Sequence, residues 1–309
     1  MNPERASSIS KISGGTVEQK REAEKNFTDK FSSEQSLPDY YEREKTDEEK
    51  ELIQSIVGKL NAFLLQYGAT PLNISHDNIQ LLDRDRMNEI DKARFDKKHG
   101  FYKQSTQKVG LVVSQDTTRI QFAVALIHEL IHFVSFNGIK SDVSQGFSRH
   151  RVGLSVDGGD HFTSDYFEEL NEALTEELMI RFYPVLKDIP SLESDYANVL
   201  NMREKFSDPN ISSVKIEEKP DHFEVQLKNF VYKDVRQALN KLVDIIYEKN
   251  SARFSTREDA FSMFAKAAMT GEIRELAQTI ESTLGAGSLK KIAISLTKFM
   301  SGLKTESNP

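Results

Sequence analysis

His128-Glu129-Leu130-Ile131-His132 is the stretch of this chain whose residue types and spacing amount to a chemistry. On a helix, residues four apart project from the same face, one turn from each other. Two imidazoles so placed could hold one metal ion while Glu129 reaches a water bound to it. The flanking residues are apolar around nearly the whole helical circumference: Phe122, Ala123, Val124, Ala125, Leu126, Ile127, Leu130, Ile131, Phe133, Val134 and Phe136. Such a helix belongs in a core, and two histidines and a glutamate carried into a core need partners for their polar atoms. A bound cation supplies them.

Five residues of this kind also arise by chance, so a second element matters. Residues 166–180 read as another helix, with Phe167, Leu170, Ala173, Leu174 and Leu178 on one stripe. Glu172 and Glu176 form an i, i+4 pair on the neighbouring face. A hydrolytic zinc site takes three protein ligands and leaves a position for water, and two histidines with one carboxylate is one such set. A metal-bound histidine also wants an acceptor on its other ring nitrogen. Glu172 as third ligand and Glu176 behind His128 or His132 would fill both needs. His150 and His161 are the other candidates for third ligand, each in a polar stretch rich in glycine and serine.

The pairing of His128-Glu129-x-x-His132 with Asn171-Glu172-x-x-Thr175-Glu176 resembles the gluzincin metallopeptidases, the thermolysin-like clan, over about residues 116–182. That resemblance implies zinc, one per chain, on His128, His132 and Glu172. It implies Glu129 as general base, with Glu176 and Asn171 supporting the ligands from behind. The chain departs from the clan in its longer spacing between the motifs and in Glu rather than Asp at 176. It also shows no histidine that matches the clan's transition-state residue. The metzincin alternative needs glycine three residues after the second histidine and a third histidine three further on. Ser135 and Gly138 stand there instead, which excludes it.

For stabilising an oxyanion, the polar groups available are Arg149, His150, Arg151 and His161, together with Tyr166, Tyr183 and Tyr196. A sheet edge just before the metal helix pairs with extended substrate in that clan. Here the candidate edge is 100–105, with Tyr102 as a pocket residue, and an ordinary core hairpin is the alternative.

The elements that must position these residues follow from periodicity. Thr46 to Glu49 fits a capping box opening a helix with the stripe Leu52, Ile53, Ile56, Val57, Leu60, Phe63 and Leu64, ended by Gly68. Residues 72–83 and 109–114 read as strands, Phe101 and Tyr102 as part of another, and Asp116, Thr117 or Thr118 as the cap of the metal helix. Residues 137–165 form a long connection with a short strand over 148–156 and a turn over 157–160. A hairpin turns at Lys219-Pro220-Asp221. Helices follow over 235–247, after a second capping box at Ser255 to Glu258, and over 271–284 and 287–301.

These readings give an α+β, zincin-like fold: a small mixed sheet with the metal-site helix above a mostly helical C-terminal subdomain. The division is 1–45 as a disordered segment or tether, with a surface helix over 17–31 as the alternative. A catalytic domain with both metal-binding helices covers 46–190, and a hairpin plus helical subdomain covers 191–309. With 309 residues, 38% hydrophobic and 29% charged, the chain suits a soluble globule. A net charge of −7 and no basic stripe argue against nucleic acid as partner, and no apolar stretch is long enough for a membrane. Zero cysteines remove disulfides and thiolate metal sites. Residues 1–25 carry no signal-peptide pattern, which makes cytoplasmic the default expectation, with unconventional export left open. The function expected is zinc-dependent hydrolysis of peptide bonds in a peptide or protein substrate. The alternatives are a catalytically silent zincin-like binding module and a helical interaction protein with a chance motif.

Overall fold

The computed structural model describes residues 9–13, 16–18, 20, 41–95, 100–104, 106–142, 146–158 and 165–303. Most of the 1–45 segment, including nearly all of the alternative helix over 17–31, lies outside them. So do Gly159, Asp160 and His161. The fold is of the α+β class, with three small sheets among helices.

Helix α1 (Asp47–Leu64) begins where its sequence says, with Thr46 and Glu49 closing the capping box. It buries Leu52, Ile53, Ile56, Val57, Leu60 and Leu64, and a short turn brings the chain to Gly68 in the left-handed conformation. The first sheet has the order β2 (Glu42–Arg43), β3 (Ile79–Asp83), β5 (Lys108–Val113), β4 (Gly100–Lys103), with β3 and β5 parallel and the outer pairs antiparallel. Its register pairs Ile79 with Val109 and Leu81 with Leu111, on the face that joins the main core. Leu82 and Val112 face the other way, onto Tyr41, Met87 and Phe95; Phe95 closes the short α2 (Glu89–Phe95). The expected strand over 72–83 starts only at Ile79. Ser75 caps a single turn, His76–Asn78, and that side-chain bonding competes with extension.

Helix α3 (Arg119–Val134) carries the histidine pair, and Thr118 is the cap, boxed with Gln121. The connection after it is a sheet rather than a loop. Strand β6 (Asn137–Asp142) pairs with β7 (Gly146–Val152), and β7 with β8 (Ser155–Val156). The expected strand over 148–156 is split by a turn at Gly153, whose φ is 58°. Residues 9–13, expected within a disordered or tethering segment, form β1 (Ile9–Ser13), parallel to β6. A bridge between Val156 and Tyr166 then leads into α4 (Glu168–Phe182), two residues later than expected.

Beyond it comes α5 (Glu193–Phe206), for which the sequence reading assigned no element. The hairpin of β9 (Ile211–Glu218) and β10 (Phe223–Asn229) stands as expected. Helices α6 (Lys233–Lys249), α7 (Arg257–Thr270) and α8 (Arg274–Leu284) follow. The cap of α7 is Thr256 boxed with Asp259, one residue later than expected. The last expected helix breaks at Ser295 into α9 (Ser288–Ile294) and α10 (Leu296–Gly302), because the Ser295 hydroxyl caps the second piece. One hydrophobic core runs from α1 and α3 through α4, α6 and α7. Among the described residues, no helix is long and apolar enough to cross a membrane.

Arg151, an oxyanion candidate by sequence, serves the fold instead. Its guanidinium is buried and donates to the carbonyls of Gly153 at 2.6 Å, Gly271 at 2.8 Å and Ala267 at 3.0 Å. The last two lie at the C-terminal end of α7, where carbonyls lack helical partners and a cation is favourable. Burial pushes its pKa down to about 10, so it is still charged at neutral pH. Arg151→Met leaves these carbonyls orphaned and is expected to cost about 2–4 kcal/mol. Urea denaturation reads this directly, and a loss below about 0.5 kcal/mol would contradict the role.

Candidate metal centre

Helices α3 and α4 each present an i, i+4 pair of polar residues where they cross. His128 Nε2 lies 3.3 Å from His132 Nε2 and 3.3 Å from Glu172 Oε2, and His132 Nε2 lies 3.5 Å from Glu172 Oε1. These three residues offer ligand atoms that all fall within 4.8 Å of one another and could hold a metal ion. The four-residue repeat aims both imidazoles the same way, and the α4 carboxylate closes the triangle.

The residues behind this triangle differ in what they offer. His128 Nδ1 is 3.0 Å from Glu176 Oε2, and Glu176 Oε1 accepts the Val231 N–H at 2.7 Å. Glu176 is 1% exposed, so it is an acceptor fixed at both oxygens against the ring nitrogen that a metal-bound His128 would protonate. His132 Nδ1 faces Asn171 Nδ2 at 3.4 Å, while Asn171 Oδ1 accepts the Leu154 N–H at 2.8 Å. With Oδ1 held by the Leu154 N–H, it is the amide NH2 that faces the imidazole. Gly153 makes room for Asn171: a Cβ there would lie 2.3 Å from its Oδ1.

Glu129 is 8% exposed and faces the edge of the first sheet. A Cβ on Gly100 would lie 2.7 Å from Glu129 Cγ and 3.1 Å from Oε1, so only glycine lets β4 pass this close to the carboxylate. Strand β4 ends its sheet, as expected for 100–105, although residue 105 is outside the described residues. Tyr102 lines the cleft and its hydroxyl donates to Asn137 Oδ1 at 3.1 Å. The cleft that holds the triangle measures about 430 Å³.

The charges favour a cation. Burial opposes protonation of His128, but its bonds to Glu172 and Glu176 and the field of Glu129 outweigh it and hold its pKa well above the ordinary value. Burial likewise pushes Glu172 up, and the two imidazoles overcome it and hold that carboxyl well below the usual range. Three carboxylates around two imidazoles attract positive charge, which a proton supplies in part and a divalent ion supplies in full. The donor set of two nitrogens and one carboxylate fits zinc.

Sequence reasoning missed Tyr232. Its ring stacks on His128 with centroids 6.0 Å apart and planes 18° off parallel, and its hydroxyl is in hydrogen-bonding range of Glu172. Burial and the Glu172 carboxylate push its pKa above the ordinary tyrosine value, so it remains a donor. It holds φ 56°, an unfavourable conformation for an aromatic residue, at the start of α6. No periodic signal marks it. The other aromatic candidates lie elsewhere: Tyr183 is buried and donates to the Ser212 carbonyl at 2.8 Å, Tyr196 packs on its ring, and Tyr166 pairs through its main chain with Val156. His150 is exposed and is not among the cleft residues, and His161 is outside the described residues.

Comparison with protein-family models, curated proteins and solved structures gives no match to this chain.

Glu172→Ala removes one ligand of three. Protein reloaded with zinc and desalted should hold about one metal per chain in the wild type and little in the variant. Equal metal in both, measured by plasma mass spectrometry, would remove Glu172 from the ligand set.

Proposed function

We propose that this chain is a zinc metallopeptidase of gluzincin type, a hydrolase of peptide bonds in peptide or protein substrates. The observation that carries this reading is a buried Glu129 beside a His128–His132–Glu172 triangle on the floor of an open cleft. Zinc held by that triangle supplies a Lewis acid for the scissile carbonyl and brings a water's pKa toward neutrality.

The chain's own residues do the rest. Glu129 takes the proton of the attacking water and returns it to the leaving amine, so no covalent intermediate is needed. Tyr232, held protonated, donates to the carbonyl oxygen as it becomes negative. Glu176 fixes the His128 ring and, through the Val231 N–H, ties Tyr232's segment to the same ligand. Among the described residues β4 pairs on one side only, which leaves its outer edge for an extended peptide.

Glu129→Gln should keep its zinc and lose about 10²–10⁴-fold in kcat. Tyr232→Phe should keep its zinc too, with kcat reduced about 10²-fold and KM little changed. Quenched-fluorescence peptide assays with metal analysis on the same samples check both, and near-wild-type turnover by Glu129→Gln would overturn the mechanism.

A further inference from the structure

One end of the cleft wall is made by the root of the hairpin, where Ser213 and Lys228 are direct cross-strand partners and so share a face. Both line the cleft. Lys228 is exposed at the cleft wall and makes no ion pair among the described residues, in a chain with 48 acidic and only 41 basic side chains. Its neighbour Lys215 is matched, by Asp116 at 2.9 Å and by Glu217. Ser213 is 1% exposed, and its hydroxyl has no hydrogen-bond partner. Buried hydroxyls are rarely left so, and this one lines the same cavity as the unmatched ammonium.

Histidines aside, the other charged side chains of the lining are acidic, Asp165 and Glu168 among them. Lys228 is four residues before Tyr232, at most about 13 Å away along an extended chain, a reach of a few peptide residues from the metal centre. We propose that Lys228, with the Ser213 hydroxyl, forms a subsite for a carboxylate of the bound peptide, from an Asp or Glu side chain or a free C-terminus. This deepens the peptidase reading and rests on it for the nature of the ligand. Partial burial in the cleft wall and the like charges of Arg84 and Lys215 lower the Lys228 pKa.

The test uses binding, so that it does not depend on turnover. Labelled peptides carrying Glu or Gln at each position in turn, and a C-terminal acid or amide, are titrated by anisotropy into zinc-loaded Glu129→Gln protein. One carboxylate is expected to tighten binding about five- to ten-fold over its neutral counterpart, with the difference shrinking at high salt. Adding Lys228→Gln should abolish that difference, and Lys228→Glu should reverse it in favour of a Lys-containing peptide. Zinc content equal to the parent shows that each variant keeps its fold. The position that carries the preference tells a side chain from a C-terminus. Equal affinities, a preference that survives Lys228→Gln, or no binding of any peptide overturns the subsite. Absence of cleavage of the same peptides by the wild type speaks separately against the peptidase.

Discussion

Three carboxylates and two imidazoles withdrawn from water between α3 and α4 are costly to the fold unless positive charge joins them. The effective penalty for taking one ion out of water is several kcal/mol, and direct pairing recovers it only when every remaining lone pair is satisfied. The surroundings of the triangle satisfy that requirement at several points. Glu176 is bonded at both oxygens, by His128 and by the Val231 N–H. Gly100 and Gly153 let backbone approach Glu129 and Asn171 where any other residue would collide. Even so, the carboxylates around His128 hold its pKa well above the ordinary value against the opposing effect of burial.

The same constraint links distant parts of the chain. The Val231 N–H reaches Glu176 only because the hairpin delivers residues 230–232 back over α4, and Tyr232 then takes a left-handed turn that lays its ring on His128. Tyr183, beneath that segment, donates to the Ser212 carbonyl and packs against Phe230. The hairpin root is thereby held over the cleft, with Lys228 and Ser213 in its wall. On the other side, Arg151 fastens the second sheet to the end of α7 and so braces the turn at Gly153 that supports Asn171.

What could be read from the sequence was whatever is local and periodic. The spacing of His128, Glu129 and His132 and that of Glu172 and Glu176 fix faces of helices, and the structure brings those faces together. The caps at Thr46 and Thr118 and the hairpin about Lys219–Asp221 were legible for the same reason. Helix α5 was not, because Val199 is its only fully buried residue, with Tyr196 and Met202 beside it only partly buried against the core. Leu72 and Ile74 imitate strand alternation, yet Ser75 turns the chain between them and β3. Strand β6 offers a single buried aliphatic, Ile139, among polar residues and glycine, too little for a strand signal. Tyr232 comes to the site through a backbone turn sixty residues after Glu172, which no spacing rule contains.

The central claim is that His128, His132 and Glu172 together hold a zinc ion. The most direct test is the zinc K-edge absorption spectrum of protein carrying one equivalent of metal. The account predicts a first shell at about 2.0 Å of mixed nitrogen and oxygen, with the multiple scattering of two imidazoles and no sulfur. Three imidazoles would place His150 or His161 on the metal in place of Glu172. A six-oxygen shell without imidazole would mean that this triangle is not where the metal binds.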